Sequence, residues 1–251
     1  MTRVAYELED GTRAVWTSRR HRKHRSSDSP YWDPHHMGWW CAALFVVGSA
    51  CFALGSMPGY SSLVGERADA ITYFVGSIFF TSASYLQYIE CISSSPTVSH
   101  ADRRRRWFAI QPTRVDWWAT MIQLLGTVFF NFTTGDALIQ GLNARQQDLV
   151  VWTPDALGSI CFLISSQLAY AEVGHRWISW NPRSLGWRIA AINMLGSIFF
   201  GISAIAGWVQ PTTGDVLDAA LDTAGTFLGA ICFLVGAVWM MPEGQTPETE
   251  G

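Results

Sequence analysis

Charge is scarce in this chain, and the scarcity is uneven. Only 15% of the 251 residues are Asp, Glu, Lys or Arg, against about 25% in an ordinary soluble domain. No charged residue occurs in 39–65, 70–89, 117–135, 189–214 or 223–242, nor in the shorter stretch 156–171. The five Cys have no Cys-x-x-Cys spacing, which excludes a disulfide scaffold and the common zinc ribbons. His-Glu-x-x-His, Gly-x-Ser-x-Gly and phosphate-loop signatures are missing as well. An enzyme is therefore the weakest reading, and no catalytic, cofactor or metal residue is assigned. His35, His36, His100 and His175 read as interfacial rather than metal-binding. What is abundant is apolar: 49% hydrophobic residues, 14% aromatic, 13 Trp and 22 Gly, which excludes intrinsic disorder of the whole chain.

The mean hydropathy of +0.15 is an average over two kinds of segment. Most of the uncharged stretches are long enough to cross about 30 Å of hydrocarbon. They predict an all-α polytopic membrane protein with six transmembrane helices, near 39–57, 70–91, 116–134, 153–173, 187–209 and 219–241. A soluble protein with a large core does not account for six such stretches edged by Trp and Tyr. Pro154 and Asp155 suit the first turn of the fourth helix. Ser18-Arg19-Arg20 and Gly48-Ser49-Ala50-Cys51 do not complete export or lipoprotein signals, so the first helix is expected to be retained.

Fifteen Lys/Arg fall in the leader 1–38 and the loops 91–115 and 174–188, against Arg67 and Arg145 on the other side. The positive-inside rule makes the first face cytoplasmic, with both termini there, in the cell membrane. The opposite face carries Glu66, Asp69, Asp136, Asp148, Asp155, Asp215, Asp218 and Asp222. These are called the basic and acidic faces below.

The chain repeats itself three times. Trp39, Trp117 and Trp187 each follow a Pro by five residues (Pro34, Pro112, Pro182) and precede a Gly by nine: Gly48, Gly126, Gly196. The alternate helices carry Gly76-Ser77-Ile78, Gly158-Ser159-Ile160 and Gly229-Ala230-Ile231. Phe80, Phe162 and Phe233 follow two residues later, and Glu90, Glu172 and Glu243 lie fourteen after the Gly. The organisation expected is a basic, partly disordered leader (1–32), two-helix repeats at 33–91, 111–173 and 181–243, and a disordered acidic tail (244–251). This two-helix unit resembles the YrhK-like family of small bacterial membrane domains. That resemblance implies membrane residence and carries no site residues.

Nine residues at about 100° each place the three Trp opposite the Gly, so Trp is expected to face lipid and the six Gly to form helix contacts. A carboxylate at a helix C-terminus opposes the helix dipole, so the three Glu are expected to have partners. Arg106 and Arg176 are the candidates for such a clamp, and a proton or cation relay through a Glu ring is the alternative. Gln123 and Asn193 share one inward repeat position and, with Asn131, serve either as interhelical glue or as a polar binding site. Arg103, Arg104, Arg105 and Arg106 could meet anionic lipid or act only as a topology signal. The partners expected are the bilayer and a second copy of the chain, with the exposed Gly faces as one interface, and no nucleic acid. A structural or regulatory membrane protein leads. A small-solute or ion transporter or channel is the alternative, told apart by whether a polar path or a dry axis joins the two faces.

Overall fold

The computed structural model describes residues 3–7, 13–17, 19, 31–94, 107–139, 141–210 and 212–243. Six long helices carry the chain: α1 (Met37–Gly55), α3 (Glu66–Ser93), α4 (Val115–Asp136), α6 (Thr153–Gly174), α7 (Leu185–Ala206) and α8 (Ala219–Met240). Short helices α2 (Tyr60–Val64) and α5 (Ala144–Gln146) lie in the acidic-face connections, and a π-helical turn at Gln147–Trp152 runs into α6. The six long helices fall on the six expected segments within a few residues.

Four stretches meet length and hydropathy criteria for crossing a membrane: Met37–Gly55, Ala144–Gly174, Leu185–Ala206 and Ala219–Met240. The helices α3 and α4 do not, because Ser, Thr, Tyr, Gln and Asn within them lower the average. Ser77 and Ser84 on α3, and Thr127 and Thr134 on α4, are all buried. Thr134 Oγ1 donates to Ser77 Oγ at 2.9 Å and Asn131 Nδ2 to Thr81 Oγ1 at 2.9 Å, tying α4 to α3. Outward, α3 and α4 remain apolar: Val75, Ile78 and Leu125 are exposed, as are Val47, Ile160, Ile198 and Leu228 on the other long helices.

Consecutive long helices pair as antiparallel hairpins, α1 with α3, α4 with α6 and α7 with α8, and the hairpins pack side by side. The last helix, α8, returns to α1, so the six close a ring. Within each hairpin the helices cross at the glycines. A Cβ on Gly48 would lie 2.9 Å from the Phe80 ring, and one on Gly76 would lie 3.0 Å from the Phe52 ring. The same exchange joins Gly126 to Phe162, Gly158 to Phe130, Gly196 to Phe233 and Gly229 to Phe200. All six glycines are buried inside their hairpins, so an interface between copies through exposed Gly faces loses its surface.

The six Phe meet on the axis of the ring. Phe52, Phe130 and Phe200 form one triangle, with ring centroids 5.8–6.3 Å apart. Phe80, Phe162 and Phe233 form a second, at 5.7–6.5 Å. The triangles stack through the hairpin pairs Phe52–Phe80, Phe130–Phe162 and Phe200–Phe233 at 5.0–5.6 Å. The gap left among Phe52, Phe80, Phe130, Phe162 and Phe200 is about 10 Å³, no more than one water would need.

Two expectations are corrected. Trp39, Trp117 and Trp187 are buried, with relative exposures of 8%, 5% and 8%. In a closed ring the face opposite the Gly still has protein beside it, and the segment leading into each helix folds back over the indole. Their Nε1 atoms donate to the carbonyls eight residues earlier, Tyr31 at 2.8 Å, Ala109 at 2.9 Å and Ser179 at 3.1 Å, which satisfies a buried donor. The neighbouring Trp40 and Trp118 turn outward instead.

The fourth long helix begins where expected, with Pro154 and Asp155 in its first turn, but helical backbone precedes it. The short helix α5 is capped by Asn143, whose side chain accepts from the Gln146 N–H while the Gln146 side chain accepts from the Asn143 N–H, a full capping box. Pro154 has no N–H to give the ladder, and the π-helical turn immediately before it is where the register widens to absorb that loss. The leader, expected to be partly disordered, holds an antiparallel strand pair, β1 (Arg3–Glu7) and β2 (Arg13–Thr17), with Arg3 opposite Thr17 and Glu7 opposite Arg13. Its signal is Asp10-Gly11 between alternating residues, and it qualifies the all-α expectation. Leader residues 20–30 and the tail 244–251 lie outside the described residues.

The glycine crossings set a stability test. Gly229→Ala drives a methyl to 2.8 Å from the Phe200 ring and is expected to cost about 1–3 kcal/mol, read as a lower Tm in detergent. Gly135→Ala, whose Cβ meets nothing closer than 3.4 Å, should leave Tm almost unchanged.

Candidate functional site

Helix α3 ends and helix α4 begins on the basic face, and the chain between them must turn without leaving helix-end groups unpaired. Tyr88 and Trp117 solve this together. Tyr88 Oη donates to the Ala109 carbonyl at 2.8 Å and accepts from its N–H at 3.2 Å, while Trp117 donates to the same carbonyl. Tyr170, Ser179 and Trp187 repeat the arrangement between α6 and α7. The Tyr-x-Glu spacing before each turn carries this junction in the sequence.

At the first junction a charge pair is buried as well. Arg114 is 6% exposed and Asp116 0%. The Arg114 guanidinium holds Asp116 through both carboxylate oxygens and donates to the Cys91 carbonyl at 3.1 Å and to Gln111 Oε1 at 2.6 Å. A fork satisfied on all sides is the condition under which a buried pair is tolerated. Neither residue was a sequence candidate. The positions matching Arg114 before the other Trp are His36 and Ser184, so the repeat pattern could not point to it.

Next to this seam, on the basic-face side of the Phe triangles, lies a cavity of about 70 Å³. Phe80, Phe162 and Phe233 line its inner end. Its polar lining comes from Gln87, Glu90, Gln123, Ser165, Ser166, Asn193, Glu243 and Arg19. Gln123 and Asn193 are thus brought to one space, as their shared repeat position predicts. The third member of that position, Phe45, lines it too. Asn193 is accommodated because its neighbour is Gly236, where a Cβ would lie 3.1 Å from the amide carbon.

The three Glu are all buried, at 8% for Glu90, 7% for Glu172 and 6% for Glu243. They do not form one ring in one space: Glu90 and Glu243 line the cavity, and Glu172 is not among its lining residues. The expected clamp partners are also corrected. Arg176 is exposed and makes no ion pair with a described residue, since it lies beyond the end of α6 on the turn that runs outward. Arg103 to Arg106 lie outside the described residues. The cation found at Glu243 is Arg19, from the leader. Its Nε donates to Glu243 Oε1 at 2.8 Å, with a second guanidinium nitrogen 2.6 Å from the same oxygen.

The acidic-face end of the ring has its own polar group. Ser203 Oγ donates to Asp222 Oδ1 at 2.6 Å and pairs with Thr226 Oγ1 at 2.7 Å. Asp155 and Tyr73 lie within electrostatic reach of the same Asp222. This end and the cavity are separated by both Phe triangles. Among the described residues no His, Cys, Asp and Glu cluster has the makings of a metal site. His175 takes a left-handed backbone at the end of α6, φ 52°.

No known family, curated protein or solved structure matches the chain.

The buried pair yields a clean expectation. Arg114→Met strands Asp116 and should cost about 3–5 kcal/mol, visible as a large drop in Tm or in folded yield. Adding Asp116→Leu should recover most of it, because the pair is then replaced by apolar bulk.

Proposed function

We propose that the chain is a six-span integral membrane protein built from three YrhK-like hairpins, with a structural or regulatory role and without enzymatic or open-channel activity. The observation that carries this reading is the double triangle of Phe rings across the axis. An ion crossing there would have to leave water for a gap of about 10 Å³ among aromatic rings, with no polar atom to replace its hydration.

Support for six spans comes from the outward faces. Each long helix, including α3 and α4, turns Val, Leu or Ile outward. An apolar belt around the whole ring exceeds what a monomer in water exposes. Support for three repeats comes from the reciprocal Gly–Phe contacts and the Trp Nε1 bonds, which recur hairpin by hairpin. With Arg19, Arg114 and Arg176 gathered on one face, both termini are assigned to the cytoplasm of a cell-membrane protein. Arg103 to Arg106 would then meet anionic lipid headgroups. Assembly with a second copy would use lipid-facing surfaces other than the six glycines.

The polar cavity gives small-solute transport its one foothold, because it reaches the plug from the basic face. Flux measurements separate the readings. Proteoliposomes holding the purified chain should be as tight to K⁺, Na⁺ and H⁺ as empty vesicles. Phe80→Ala with Phe162→Ala should raise leak, read beside Tm because each lost ring costs about 3–5 kcal/mol. Conduction by the unaltered chain would overturn the proposal.

A further inference from the structure

We propose that the basic-face cavity is a binding site for a small organic cation bearing a guanidinium or primary ammonium group, which would compete for the Glu243 carboxylate that Arg19 holds from the cavity wall. The inference rests on the regulatory reading above, in which the cavity ends at the Phe plug instead of leading through it.

The lining selects the ligand. The space of about 70 Å³ is several times what one water needs, so it has room for a small molecule's head. Its walls present acceptors. Glu243 accepts from the Arg19 guanidinium at 2.8 Å. The side-chain oxygen of Gln87 is buried with no hydrogen-bond partner, and that of Asn193, also without one, is seated against Gly236. Buried acceptors in want of donors are satisfied by a group that brings several N–H bonds and no lone pairs. Phe80, Phe162 and Phe233 line the same space, and aromatic rings attract cations, the more so out of water. An anion would meet Glu90 and Glu243, and an apolar ligand would leave the amide oxygens unsatisfied.

Arg19 shows that a guanidinium is accepted there. It belongs to the leader, 224 residues from its partner in sequence, and its side chain keeps 20% exposure while Glu243 keeps 8%. It lines the cavity together with Glu243, so a free cation of the same chemistry competes with it for one carboxylate. Occupancy by ligand would release the leader from the helix bundle, coupling the cavity to a segment on the basic face. In this design the leader is the reporter and Arg19 the resident competitor.

The test uses the full chain in nanodiscs, with methylguanidinium chloride as probe, methylurea as the neutral molecule of like shape, and ionic strength held constant with sodium chloride. Titration calorimetry should show Arg19→Ala binding methylguanidinium about tenfold or more tightly than the unaltered chain, because a self-occupied state no longer taxes affinity. Glu243→Gln added to Arg19→Ala should abolish binding, and methylurea should bind to neither. Equal binding of methylurea, or no methylguanidinium binding by folded Arg19→Ala, overturns the proposal. Should Arg19→Ala fail to fold, Arg19→Gln keeps the volume and removes the charge, with the same outcomes required. Flux through the chain would sink the plug and leave the cation site standing, whereas a tight chain that binds no probe sinks the site alone.

Discussion

The reciprocal packing of Gly and Phe across each helix pair is the contact on which the other features depend. Each long helix carries Gly-x-x-x-Phe, and the Phe of one helix occupies the space above the Gly of its partner. In a bilayer there is no hydrophobic gain from bringing two apolar helices together, since lipid is as apolar as Leu, so close packing must supply the attraction. Six glycines bring the backbones near enough for carbonyl oxygens to lie 3.1–3.2 Å from the missing Cβ positions across the Gly48–Gly76 and Gly196–Gly229 crossings. The rings that fill the opposite side of each crossing all point to the axis, which is why three hairpins can share one aromatic centre.

Closure of the ring then dictates where polarity can go. Every helix has protein on two sides and on the axis, so the hydroxyls and amides of α3, α4, α6 and α7 find each other between helices. The Ser166–Ser197 contact at 2.7 Å joins α6 to α7 much as Thr134–Ser77 joins α4 to α3. The outer surface is left to Val, Leu and Ile. This division explains why hydropathy alone accepts α6, with its capped extension, and passes over α3 and α4: an average over a helix cannot tell an inward Thr from an outward one. The axis is polar at both ends and aromatic between them, a profile that closes a pore and leaves a one-sided pocket.

The helices and their glycine contacts were legible because charge-free length and small residues at fixed spacing are local signals. The aromatic centre was only half legible. Phe80, Phe162 and Phe233 stand out beside Gly-[Ser/Ala]-Ile, while Phe52, Phe130 and Phe200 sit at the same offset from their own Gly without a shared residue between them except around Ser or Thr. The Trp direction was misread because a helical wheel gives angles and not neighbours: the face opposite Gly is lipid only for an isolated pair. Of the expected Glu partners, Arg106 lies outside the described residues and Arg176 is exposed. Glu243 instead meets Arg19 from the leader, and no spacing rule spans 224 residues. The acid that does bind a nearby Arg is Asp116, two residues from Arg114, a pair that looked like ordinary topology charge.

Where the three units differ is where chemistry concentrates. A bundle needed only for shape could repeat Phe45 at the Gln123 and Asn193 positions, and Met240 or Ala169 at the Gln87 position, and the axis would pack drier and at less cost. Instead the departures from three-fold likeness turn toward one space: an amide from each of α3, α4 and α7 and an arginine from outside the repeats, beside two of the three repeated carboxylates. The plug, by contrast, keeps the same residue in all six places. Uniform Phe at the barrier with varied polar groups below it separates two jobs within one fold. The barrier needs only bulk and closure, which symmetry supplies; recognition needs particular donors and acceptors at particular angles, which symmetry would forbid.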